Sequence, residues 1–141
     1  MKTGDYGRAA VVALLLVIAN FAVGFVAVLV YSLAIEPGHD PAFYQRAAQS
    51  VVPWTVGFVA PLLFALAGYW SARRRPERNA LRFAGAFWLA YVLIDALAGV
   101  GMGQPTAILS LAMGIALIAD LAGALAGAWL GSRRRAAPGQ A

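Results

Sequence analysis

Apolar positions divide the chain into four long runs, residues 8–35, 51–72, 81–100 and 106–131, separated by short polar punctuation. Each run reaches the roughly 20 residues a helix needs to cross a hydrocarbon core of about 30 Å. Lipid offers no partner to backbone amides, so each run is predicted to be helical, and its internal glycines and prolines do not count against that. The expected fold is all-α: a polytopic four-helix transmembrane bundle in which short connections make successive helices antiparallel, up-down neighbours. One transmembrane domain covers residues 1–135, and residues 136–141 read as a disordered tail.

The interruptions refine this picture. Glu36-Pro37-Gly38 stops the first run. Asp40-Pro41 has the form of an N-cap followed by proline at the first helical position. Beyond it Phe43, Ala47 and Val51 recur every fourth residue, which predicts a short amphipathic helix in the outer loop, resting on the membrane interface. Pro76 ends the second run in a cytoplasmic loop at 73–80, and a glycine-rich turn near 99–105 joins the third run to the fourth on the outside. Trp54 would mark the outer interface, and Tyr69, Trp70 and Trp129 the inner one.

Charge then sets the orientation. Lys2 and Arg8 precede the first run; Arg73, Arg74, Arg75, Arg78 and Arg82 fall between the second and third; Arg133, Arg134 and Arg135 follow the fourth. Only Arg46 lies on the other side. This distribution places both termini in the cytoplasm, with the protein in the cell's inner membrane. The pI near 10.2 therefore does not point to nucleic acid, since no recognition motif or interleaving of aromatic and basic residues accompanies the charge. The bilayer is the first partner, and Arg73, Arg74, Arg75, Arg133, Arg134 and Arg135 are the expected contacts to anionic lipid headgroups. The first run is too long for the core of a cleaved signal peptide and reads as a retained anchor.

Within the apolar runs, Asp95 (in YVLIDALAG) and Asp120 (in LIADLAGAL) carry the candidate chemistry. A carboxyl group in hydrocarbon is expensive and normally faces a protein interior, a partner or a water-filled path. Counted from opposite ends of antiparallel helices, each lies ~21 Å into its span, which staggers them in depth by about 10 Å. That suits two separate polar stations better than an aspartyl dyad, whose carboxyls share a proton at about 3 Å. Asn20, near mid-membrane on the first helix, is the expected partner of Asp120. Tyr91, one turn before Asp95, is the expected hydroxyl donor to it.

Small residues supply a second signal. Gly123, Gly127 and Gly131 form a small-xxx-small ladder beside Asp120, and Gly24 stands four residues beyond Asn20. Such ladders let backbones approach closely, first within the bundle and secondarily between copies. An echo links ALAGYWSARRR at 65–75 with ALAGAWLGSRRR at 124–135. His39, the one histidine, lies beside Glu36 and Asp40, where a turn is a simpler reading than a metal site. With no cysteine and no ligand or phosphate-loop pattern, no metal or cofactor is expected.

The functional expectation is a non-catalytic membrane protein acting by helix association, as a homo-oligomer or as an accessory subunit of a larger membrane complex. Its aspartates then serve as buried polar contacts. The alternative is a small proton-coupled transporter or carrier using Asp95 and Asp120. An intramembrane aspartyl enzyme is the most remote.

Overall fold

The computed structural model describes residues 3–75, 79–101 and 111–133. Four helices are long and apolar enough to cross a membrane, and no strand occurs among the described residues. They are α1 (Thr3–Val30), α2 (Pro41–Arg74), α3 (Ala80–Gly101) and α4 (Leu111–Arg133). This is an all-helical, multi-pass membrane protein. Its outer surface is built from exposed apolar side chains such as Phe21, Phe25, Phe58, Leu62 and Ile118, as lipid contact requires and water would penalise.

Two boundaries differ from the sequence expectation. Helix α1 starts at Thr3 rather than near residue 8, and its last turn, Tyr31–Ile35, widens to a π-helix closed by Glu36 N–H donating to the Tyr31 carbonyl at 3.0 Å. Residues 41–50 are helical but do not form a separate amphipathic helix. They are the first turns of α2, which runs unbroken for 34 residues through Pro53 and Pro61. At 1.5 Å per residue that is ~51 Å, well beyond the hydrocarbon thickness. Helix α3 likewise continues through Gly99 and Gly101. Residues 102–105 of the expected turn, residues 106–110 of the fourth run, Pro76, Arg78, Lys2, Arg134, Arg135 and the 136–141 tail lie outside the described residues.

The turn before α2 follows from local chemistry. Gly38 takes a φ of 88°, a region open to glycine and strained for other residues. Asp40 Oδ1 accepts from Phe43 N–H at 2.8 Å, and Pro41 fills the first helical position. The Tyr44 hydroxyl donates to the Glu36 carbonyl at 2.8 Å and accepts from His39 N–H at 3.1 Å. His39 stacks on Phe43 with ring centres 4.1 Å apart, and its Nε2 lies 3.3 Å from Glu36 Oε2. His39 is thus held as part of a stapled turn.

The helices run round the bundle in the order α1, α2, α4, α3, with α2 and α4 in the most extensive apposition. Helix α1 buries Ala9, Ala13, Leu16, Asn20 and Gly24, and α2 buries Ala60, Phe64, Gly68 and Ala72. Spacings of three and four put each set on one face. The core is aromatic. Phe64 meets Tyr91 edge-on at 4.8 Å and Phe87 at 6.1 Å, and Phe83 meets Phe87 at 5.9 Å. Alanines 9, 13, 84, 124 and 128 leave room for these rings.

The α2/α4 seam is where the glycine ladder acts. A Cβ on Gly123, Gly127 or Gly131 would collide with the backbone of Pro61, Ala65 or Tyr69, respectively. These pairs rise together in sequence, so the two helices are parallel. Gly68 returns the contact, with its own Cβ position blocked by the Ala124 carbonyl. In the echoed tetrapeptide ALAG, the fourth residue of each copy therefore sits on the first residue of the other. Gly24 packs under Val52, whose Cγ1 lies 3.1 Å from a Cβ built there. Gly57, on the same helix as Gly68, faces open space.

Candidate functional site

Four polar residues from three helices converge inside the bundle. Parallel packing of α1 and α3 sets Asn20 against Tyr91, and the Asn20 amide donates to the Tyr91 hydroxyl at 3.0 Å. Asn20, Tyr91 and Asp120 are all buried, at 8%, 7% and 5% exposure. Asp95, one turn beyond Tyr91, is half-buried on the same side of α3.

This arrangement corrects two expected pairings. Asn20 bonds Tyr91 rather than Asp120, and the Tyr91 hydroxyl is engaged by Asn20 rather than by Asp95. The reason is rotational. Asn20 and Tyr91 occupy equivalent positions on two adjacent parallel helices, which run counts along the chain do not reveal.

Two buried oxygens have no hydrogen-bond partner among the described residues: Asn20 Oδ1 and Asp120 Oδ1. Buried polar atoms are almost always bonded, and an unbonded one costs about 1–3 kcal/mol. A cavity of about 450 Å³ is lined by Asn20, Tyr91 and Asp95, with Phe21 and Phe25 from α1 and Val52 and Val56 from α2; Asp120 is not among its lining residues. Phe21 and Phe25 are also 60% and 70% exposed, so the cavity opens through the side of the bundle towards lipid.

Other polar contacts brace the framework. Trp88 Nε1 donates to the Leu117 carbonyl at 3.0 Å, tying α3 to α4. At the arginine-bearing ends of α2 and α4, Arg73 donates to the Tyr69 hydroxyl at 3.0 Å. Arg74 lies over Trp70 at 4.2 Å, and Arg133 over Trp129 at 3.7 Å. These aromatic faces hold the arginines at one end of the bundle.

Asp5 is a residue that sequence reasoning missed. It is 8% exposed in the first turn of α1, 3.9 Å from Arg8 Nη1. Its spacing of three from Arg8 was a readable signal, concealed by placing the helix start too late.

Comparison with known proteins adds no identity: no family model, curated protein or solved structure matches the chain.

Proposed function

We propose that the protein is a small membrane carrier that exchanges protons for a hydrophobic cation at the Asn20–Tyr91–Asp95–Asp120 cluster. One observation carries this reading: Asp120 is buried in the bundle with an unpartnered oxygen, and a second intramembrane carboxyl group, Asp95, lines a cavity with Asn20 and Tyr91. Groups serving only as helix glue would be expected to satisfy one another, because bonded pairs provide the stabilisation. A carboxyl group inside the membrane is costly as a bare charge, so a proton and an incoming cation compete for the same site on it. Phe21, Phe25 and Tyr91 add aromatic faces that attract an organic cation.

The lateral opening also bears on assembly. Four helices enclose little space, and a second copy or a partner helix over the open side would complete a path. The association reading and the carrier reading are therefore compatible. With its arginine-rich end in the cytoplasm of an inner membrane, the cavity would sit towards the outer half of the bilayer.

The test is reconstitution into liposomes carrying a pH gradient, following tetraphenylphosphonium movement and internal pH together. Wild-type protein should couple the two, and cation binding should weaken as pH falls. Asp95→Asn and Asp120→Asn should remove coupling while the protein still folds and assembles. If both Asn variants behave as wild type while Ala or Leu breaks assembly, the aspartates are packing contacts and the carrier reading fails.

A further inference from the structure

A second, larger cavity lies at the arginine-bearing end and is separate from the polar cluster. It occupies about 860 Å³ between α1 and α2, with Arg8, Arg74 and Arg75 at one end and apolar walls below. On α1 it extends from Arg8 to Ala19, and on α2 from Arg74 back to Leu63. Either stretch covers eleven helical steps, or ~16 Å at 1.5 Å per residue, close to the ~15 Å depth of one leaflet's hydrocarbon. The groove is thus one leaflet deep, cationic at its mouth and apolar along its length.

We infer that this groove holds a single anionic phospholipid. Its phosphate sits among Arg8, Arg74 and Arg75, and one acyl chain runs along the wall formed by Leu66 and the α1 face down to Ala19. Charge complementarity selects this occupant. Arg8 from α1 and Arg74 and Arg75 from the end of α2 line the same cavity, and the planar fork of arginine matches phosphate oxygens. Asp5 occupies one side of Arg8 at 3.9 Å, leaving the mouth net positive. Trp70, stacked with Arg74 at 4.2 Å, presents an aromatic face at headgroup level, as interfacial tryptophans do. Helix-end arginines in general attract anionic surfaces diffusely. This site differs in pairing an arginine cluster from two helices with a chain-length slot.

The experiment is native mass spectrometry of the full-length protein released from detergent micelles doped with phosphatidylglycerol or phosphatidylcholine. One retained phosphatidylglycerol is expected, preferred over phosphatidylcholine by about tenfold. Combined Arg8→Gln, Arg74→Gln and Arg75→Gln should remove the preference, and Ala19→Phe, which fills the deep end, should lower retention with every arginine intact. Arg82→Gln, exposed at the start of α3 and outside the groove, should leave retention unchanged, and gel filtration should show each variant folded. Equal loss with Arg82→Gln would mean diffuse attraction and overturn the proposal. So would displacement of the lipid by millimolar inorganic phosphate, which would make this a free-phosphate site, or undiminished retention by the folded Ala19→Phe variant.

Discussion

Gly127→Ala adds one methyl group at the tightest point of the α2/α4 seam. A Cβ there would overlap the Ala65 carbonyl oxygen, with the Ala65 carbonyl carbon at 2.6 Å and its Cα at 2.8 Å. All three are backbone atoms, so no side-chain rotation relieves the contact. Carbon pairs prefer about 3.5–4.0 Å, and opening a gap of 0.5–1 Å forfeits a quarter to a half of each contact along the seam. Overpacking of this kind costs about 1–3 kcal/mol, against up to ~1 kcal/mol gained from alanine's helix propensity. A net loss near 1 kcal/mol would raise the unfolded fraction about fivefold. The measurement is equilibrium unfolding by SDS titration in mixed micelles, with Gly85→Ala as the matched control, since nothing lies within 4 Å of a Cβ at Gly85. Gly85→Ala should match or exceed wild type. Ala65→Gly should fail to rescue Gly127→Ala, because the opposing atoms are main chain. Equal stability of the two alanine variants would refute the parallel seam as described here.

Two further predictions concern individual hydrogen bonds. Asn20→Leu and Tyr91→Phe remove opposite ends of the 3.0 Å bond between α1 and α3; a double-mutant cycle by SDS titration should give a coupling of about 0.6–1.7 kcal/mol, and zero coupling would show that the pair does not bond. Asp40→Ala removes the side-chain acceptor for Phe43 N–H and should cost about 1 kcal/mol, read as faster amide exchange confined to the first turn of α2. Unchanged exchange there would refute the cap.

The run pattern was enough to place four helices in a membrane, because a span of about 20 apolar residues has few other stable environments. It also located the Asp40 cap, and it identified Asn20, Tyr91, Asp95 and Asp120 as the polar residues within the spans. The continuity of α2 was not legible. Asp40-Pro41 and the polar residues Gln45, Arg46 and Gln49 look like a self-contained loop helix, yet a membrane-protein helix tolerates Pro53 and Pro61 and runs on. Nor did the sequence reveal the Arg8–Arg74–Arg75 cluster, in which Arg8 lies more than sixty residues from the other two in the chain.

What the sequence determined by itself was the solvent each segment prefers, since hydropathy is summed along the chain and needs no neighbour. The tertiary structure decided which helix meets which. Its ring order sets α2 against α4, assigns Asn20 to Tyr91, and places Asp95 on the cavity that both of them line. In lipid, apolar faces are nearly equivalent, so partner choice falls to close approach at small residues and to a few polar bonds. Both depend on each helix's rotation about its axis and its depth. Run boundaries fix the depth only to several ångströms and leave the rotation open. Gly127 shows the difference: its place in a small-residue ladder is written in the sequence, but the carbonyl of Ala65 against it is a property of the fold.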